Sequence, residues 1–257
     1  AAPAHWVDLM QATGQYQHLM APPYVPGLDC SGVVESVGPD VDNVAVGDRV
    51  CLDVFGEWGP RNKGPYAVWG GFQTVTLAPA KSVRRVPAAL SFAQAAALSG
   101  PYETAYHALL YRGKVRAGET VVVVGASGSS GSAAVELARE AGAKIVLVAG
   151  SPQKLEVVAP LAGSALVDAF TYEDDAGWER VKGKADAVFD TVGGDALLRS
   201  LRAAKFGARV LVVGWTSTPL VRATQKPNQF PTNLLLMKSL DVLGCPVVIH
   251  TQRDPRI

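Results

Sequence analysis

Residues 121–131 read Val121-Val122-Val123-Val124-Gly125-Ala126-Ser127-Gly128-Ser129-Ser130-Gly131. Four successive valines describe a strand buried on both faces, as in a parallel sheet covered by helices. The glycines and serines that follow describe a tight turn. A helix is expected next, running to Ala141 and stopped by Gly142, with Val135, Ala138 and Ala141 on one face. Strand, glycine-rich turn and helix form the context in which a dinucleotide fingerprint carries weight. Gly128 lets the backbone approach a pyrophosphate. Gly131 lets the helix pack close to the strand. The unpaired N–H groups of the first helical turn then face the phosphates. Ala126 stands where the first glycine of that fingerprint usually is, so the pattern is A-x-G-x-x-G. Without a ligand, the same turn would be an ordinary strand–helix connection.

Outward from this stretch, strands are expected at 121–125, 144–149, 165–168, 185–190 and 208–213. Helices are expected at 129–141, 152–162, 173–182 and 195–204. Such alternation predicts an α/β, doubly wound parallel sheet. Where an NAD site carries an acid, about 20 residues past the turn, the chain reads Val148-Ala149-Gly150-Ser151-Pro152-Gln153-Lys154. No carboxylate is there to repel a 2′-phosphate. Ser151 offers a hydrogen-bond donor and Lys154 a charge, although Lys154 is equally readable as a solvated surface lysine. The reading favours NADPH over NADH.

The first hundred residues differ. Val-rich runs at 32–38, 44–50, 72–77 and 82–86, broken by Gly, Pro and Asp, predict short β-strands. Residues 53–71 form a long loop rich in Gly, Pro and Trp. Ser91 and Gln94 are spaced as a capping box for a helix, and 101–112 predicts another. Two domains follow, 1–100 and 101–257.

Composition narrows the class. The chain has 257 residues, 48% hydrophobic and 18% charged, with 24 Lys and Arg against 23 Asp and Glu. That balance supports a packed core and lacks the basic excess of a nucleic-acid binder. Three dispersed cysteines, Cys30, Cys51 and Cys245, make no disulfide framework and no C-x-x-C zinc motif. A cytoplasmic setting is the expectation, without a membrane span. The start, Ala1-Ala2-Pro3-Ala4, has no initiator Met, so the true start is expected upstream.

The chain resembles the medium-chain dehydrogenase/reductase superfamily, in its zinc-free quinone oxidoreductase (zeta-crystallin-like) branch. The resemblance rests on Pro23-Tyr24-Val25-Pro26-Gly27 followed by Gly32-Val33-Val34-Glu35-Ser36-Val37-Gly38, and on Val46-Gly47-Asp48-Arg49-Val50. It rests also on Thr104-Ala105-Tyr106-His107-Ala108-Leu109, the loop at 126–131, Phe189-Asp190-Thr191-Val192-Gly193-Gly194, and Asn233-Leu234-Leu235-Leu236-Met237-Lys238. It implies a GroES-like β-rich catalytic domain followed by a Rossmann domain, with both ends of the family's chain missing. Ser129-Ser130 replaces a common Gly-Val.

The resemblance assigns roles. Ala126, Ser127, Gly128, Ser129, Ser130 and Gly131 surround the pyrophosphate. Ser151 and Lys154 hold the 2′-phosphate, and Tyr172 or Phe170 flanks the adenine. Val192 and Gly193, with Gly214 and Trp215, lie along the nicotinamide ribose, and Thr104, at the start of a helical turn, faces the nicotinamide. Tyr16 matches the proton donor of related enoyl-thioester reductases, or is simply a half-buried aromatic. His5 and Asp8 match an Asn-x-x-Asp region lining the cofactor cleft. Positions that bind catalytic zinc in metal-dependent relatives correspond to His5, Leu28 and Gly100. Leucine and glycine have no donor to offer, and His18, His107 and His250 are scattered, so no zinc is expected.

Without a Lewis acid to stabilise an alkoxide, hydride transfer to an electron-poor acceptor is favoured over alcohol oxidation. The expected function is NADPH-dependent reduction of a quinone or other conjugated carbonyl compound. The alternatives are an enoyl-thioester or alkenal reductase, and a non-catalytic NADPH-binding protein. A homodimer paired through the strand near 241–247 is expected, with a small-molecule acceptor and no nucleic acid or membrane partner.

Overall fold

The computed structural model describes residues 1–16, 20–53, 57–217 and 228–254. Its contacts divide into two compact units, Ala1–Gly100 and Pro101–Ile257.

The first unit is built mostly of ordered loops. Helix α1 (Trp6–Ala12) precedes three short strands, β1 (Ser31–Val33), β2 (Arg49–Leu52) and β3 (Val83–Arg85), paired antiparallel in that order. The strand expected over 32–38 is cut short because its partner begins only at Arg49. Beyond Val33 the chain bonds to the turn instead, with Gly47 N–H donating to Val34 O (2.9 Å), and Gly47 sits at φ +93°. The run at 72–77 forms no strand, and Phe72, Val75 and Leu77 are exposed. Trp58 is the anchor of the long loop, fully buried with its indole N–H on Thr76 Oγ1 (3.2 Å). Helix α2 (Phe92–Ala96) opens on the expected capping box: Ser91 Oγ accepts from Gln94 N–H, and Gln94 Oε1 accepts from Ser91 N–H (2.9 Å). Helix α3 (Ser99–Tyr106) continues into a π-helical turn, His107–Arg112.

In the second unit, strands and helices alternate as β4 (Thr120–Val124), α4 (Ser129–Glu140), β5 (Lys144–Ala149), α5 (Pro152–Ala162), β6 (Leu166–Thr171), α6 (Asp175–Arg180), β7 (Ala185–Asp190), α7 (Gly194–Ala203) and β8 (Ala204–Val212). Helix α8 (Thr232–Lys238), strand β9 (Asp241–Gly244) and helix α9 (Val247–Arg253) follow. The six strands pair in parallel in the order β6-β5-β4-β7-β8-β9. That is the doubly wound order whose chain reverses direction between the first and fourth strands, here β4 and β7.

The valines of β4 explain the two-faced core. Val121 and Val123 pack with Ile145, Leu147, Phe189 and the α4 residues Ala134 and Val135. Val122 and Val124 pack with Val146, Val188, Leu197 and Leu201 on the other face. Alternation along the pleat sends successive side chains to opposite layers, and each such valine contributes about 1.5–3 kcal/mol. Lys238 donates to the carbonyls of Leu201, Arg202 and Ala204 (2.8–3.0 Å), closing the carboxyl end of α7. The expected strand at 165–168 runs on to Thr171, and the helix over 173–182 shortens to α6 because Asp174 caps it by accepting from Gly177 N–H (2.9 Å). Among the described residues no helix is long and apolar enough to cross a membrane.

Candidate functional site

Ligands of doubly wound sheets sit beyond the carboxyl ends of the strands, at the point of reversal. Here that point joins the end of β4 to the end of β7. Gly125 leaves β4 at φ +84°, and a Cβ on it would lie 2.2 Å from Thr191 Oγ1. Its N–H and that of Ala126 both donate to Val148 O (2.9 and 3.0 Å), so the turn is pinned to β5. Gly131 meets the turn from the other side, where a Cβ would be 2.1 Å from Gly125 O. Ala126 and Gly131 are buried, while Ser127, Gly128 and Ser129 between them are exposed and Ser130 is half-buried. Gly128 is the N-cap of α4, and no side chain caps the helix. A Cβ on Gly128 would touch only Gly125 O, at 3.3 Å, which leaves its outer side open. The pyrophosphate of a dinucleotide fits this opening. Ala126 replaces glycine without strain because its side chain belongs to the core.

Beyond β5, Gly150 lies beneath two groups: a Cβ on it would be 3.5 Å from the Tyr172 ring and 3.9 Å from Lys154 Nζ. Ser151 is the N-cap of α5, its hydroxyl accepting from Lys154 N–H (3.4 Å). A cation, a hydroxyl and an aromatic ring therefore converge where an NAD site holds a carboxylate. Phe170 is buried against Trp178, with ring centroids 5.0 Å apart, so of the two aromatics it is Tyr172 whose ring stands beside Gly150. Burial, with Asp190 nearby, raises the Tyr172 phenol above its usual range.

The ends of β7 and β8 form a second cluster. Asp190 accepts from Val192 N–H (3.0 Å) and from Gly193 N–H (3.1 Å to one oxygen), holding Gly193 at φ +71°. Burial pushes the Asp190 carboxyl up to about 6. Gly214 N–H donates to Asp190 O (3.2 Å), and a Cβ on Gly193 would be 3.2 Å from Trp215 Cβ. The four residues assigned to the nicotinamide ribose are thus neighbours. Sequence reading did not assign Asp190, Thr191 or Asn228, whose Oδ1 accepts from Gly194 N–H (2.8 Å). For Asp190 the signal was present, since the acid stands inside the quoted motif before Val192-Gly193. Thr104 sits in the middle of α3, not at its start, half-buried beside the core residue Ala105.

In the first unit, His5, Leu28 and Gly100 do come together, but around Asp29. His5 Nε2 is 3.0 Å from Asp29 Oδ2, and Gly100 N–H donates to Asp29 Oδ1 (3.2 Å). Asp8 accepts from His5 N–H (2.7 Å) and from Leu28 N–H (3.0 Å). Asp8 and Asp29 are buried. Burial above all raises the Asp8 carboxyl. For His5 burial opposes the charge, but the Asp29 carboxylate outweighs it and the net direction is upward. Tyr16 follows α1, half-exposed, with its N–H on Met10 O (3.1 Å). His18 lies outside the described residues.

Residues 1–88 match the alcohol dehydrogenase GroES-like domain, and residues 131–253 match the zinc-binding dehydrogenase family. The chain belongs to the medium-chain dehydrogenase/reductase superfamily, on its quinone oxidoreductase branch. It is 31% identical over 256 residues to a quinone oxidoreductase-like protein 2 homolog of Nematostella vectensis, covering 98% of this chain and 65% of that protein. It is 33% identical over 214 residues to the quinone oxidoreductase of Rattus norvegicus, covering 81% of this chain and 60% of that one. The structure of the quinone oxidoreductase from Thermus thermophilus, solved also in complex with NADPH, superposes with a TM-score of 0.72 at 28% identity, covering 95% of this chain and 68% of that one. The chain thus spans less than two thirds of the length of these curated relatives.

The zinc implied by the second family's description does not fit the residues present. Leu28 and Gly100 carry no ligating atom, and Asp29 is already engaged by His5 and Gly100. Among the described residues, no group of three His, Cys, Asp or Glu side chains is placed to hold a metal.

Proposed function

We propose that the chain carries an NADPH-dependent reductase that passes hydride to a quinone or another conjugated carbonyl acceptor. The observation that carries this reading is the convergence of Lys154 Nζ, Ser151 and Tyr172 around Gly150, beside an open glycine turn. A 2′-phosphate gains two donors there and meets no carboxylate. The backbone from Ser127 to Ser130 holds the pyrophosphate, Gly131 keeps α4 close enough for it, and Ala126 anchors the turn in the core. Val192, Gly193, Gly214 and Trp215 border the ribose next to the nicotinamide, with Thr104 toward the ring. When bound, the reduced nicotinamide supplies a hydride.

The acceptor follows from what the first unit lacks. Its metal-ligand positions carry no zinc donor set, so an alkoxide would find no Lewis acid there. A quinone accepts hydride to give a stabilised hydroquinone anion. An enone gives an enolate, for which Tyr16 is the candidate proton donor. The relatives named as quinone oxidoreductases support the quinone. The exposed outer edge of β9 supports a homodimer built by strand pairing, and the protein acts in the cytoplasm.

The test is NADPH oxidation with a quinone, an enone and an enoyl thioester. Turnover with the quinone and not the thioester is expected. Binding of NADPH without any turnover would instead mark a non-catalytic protein. A Tyr16→Phe variant is expected to lose enone turnover selectively, and unchanged enone rates would remove Tyr16 from catalysis.

A further inference from the structure

The amino ends of the strands, opposite the glycine turn, carry a groove of about 580 Å³. Its floor is Val146, Val167 and Val181, and its rim carries Lys144, Lys184, Lys205 and Arg180 together with the Asp168 carboxylate. Two irregularities in the sheet lie beside it. Between β5 and β6 the register jumps so that Leu166 faces Ile145 but Asp168 faces Val146. Val167 is left over and turned outward, 58% exposed. Between β7 and β8, Ala204 faces Ala185 but Arg209 faces Ala187, so 205–208 loop out with Gly207 at φ +75°. Such bulges redirect side chains and bend the strand edge.

The charges are unbalanced. Arg180 is spent on Asp168 (2.9 and 3.1 Å), and Lys205 on Asp186 (2.7 and 2.8 Å). Lys144 and Lys184 are exposed and form no ion pair among the described residues. The groove therefore offers the ammonium of Lys144, and that of Lys184 with the Asp168 carboxylate within its electrostatic reach, above a valine floor, in a volume typical of small-molecule sites.

We infer that this groove binds an organic anion with an apolar body: a carboxylate or phosphate head between Lys144 and Lys184 and a short hydrocarbon chain over Val167. Flexible ammonium groups accept either head, and the lysine stems extend the apolar surface. The site is separate from the nucleotide turn and independent of the proposed reaction.

Titration calorimetry of the full chain with octanoate, octyl phosphate, octanol and inorganic phosphate tests it. Octanoate or octyl phosphate is expected to bind at one site, the tighter one identifying the head group. Octanol and inorganic phosphate are expected to bind at least about tenfold more weakly. Lys144→Glu with Lys184→Glu is expected to weaken the chain-bearing anions by about 100-fold, and Lys184→Gln alone by about tenfold, with NADPH affinity unchanged as the control for folding. Octanol binding as tightly as octanoate, anion binding that survives Lys184→Gln with NADPH affinity intact, or no binding of either chain-bearing anion would each overturn the inference.

Discussion

Two polar constellations in this chain are built on opposite principles. The turn from Gly125 to Gly131 is backbone: its shape depends on atoms that are missing, since a Cβ on Gly131 would sit 2.1 Å from a carbonyl oxygen. The cluster around Asp29 is side chain: a buried carboxylate shared by an imidazole and a backbone N–H. A backbone site tolerates no added atom where its segments touch, as at Gly131. A side-chain site tolerates exchange of partners, provided no buried charge is left alone. The second kind ties His5, Asp29 and Gly100 together where Leu28 and Gly100 offer no ligating side chain.

The sharpest way to break that contrast is Gly131→Ala. The displaced Gly125 carbonyl should cost about 3 kcal/mol or more of stability and abolish NADPH binding, read by chemical denaturation and fluorescence titration. Gly128→Ala, whose added carbon has 3.3 Å to its nearest neighbour, should cost under about 1 kcal/mol. Similar losses for both would show that the turn is not shaped by close approach.

Asp29→Ala comes next, at about 2–3 kcal/mol, because it strands the Gly100 N–H and removes the counter-charge of His5. Asp29→Asn should lose less. The pair also has a pH signature. The folded value of His5 is raised, so its stabilisation is fully present below the unfolded value of about 6.5 and lost as pH rises through the folded value. Unfolding midpoints of the wild type should fall over that window, and those of Asp29→Asn should fall less.

A smaller effect than at Asp29 is expected at His107. Its ring is buried, with Nε2 2.7 Å from His250 Nδ1. Burial first, then His250 and Arg112, lower it to about 4. Its folded value lies below the unfolded one, so stability is full above about pH 6.5 and declines as pH falls toward 4. About 1 kcal/mol should be lost across that range once solvent screening is allowed for, and His107→Gln should flatten the decline.

The two regions also differ in how readable they were. The parallel sheet was legible because buried strands need unbroken apolar runs and tight turns need glycine. Val121 to Gly131 announces both, and the strand order followed. Tyr172 and Lys154 fall in one neighbourhood because short connections keep strand ends together. The first unit was not legible in this way. Its strand over 32–38 had the right composition but lacked a partner past Val33, and a ladder depends on a distant segment. The run at 72–77 failed for the same reason. Asp29 was overlooked because its role arises only when His5 and Gly100 meet it in space, while the sequence drew attention to the neighbouring Leu28.

If the glycine turn and the Lys154 pocket form one NADPH site, the affinity of the chain for NADPH and NADH depends on Lys154. Fluorescence titration should give NADPH binding at least about tenfold tighter than NADH, with Lys154→Ala erasing most of that preference and leaving NADH affinity unchanged. Equal affinity for the two nucleotides, or a preference that survives Lys154→Ala, would contradict it.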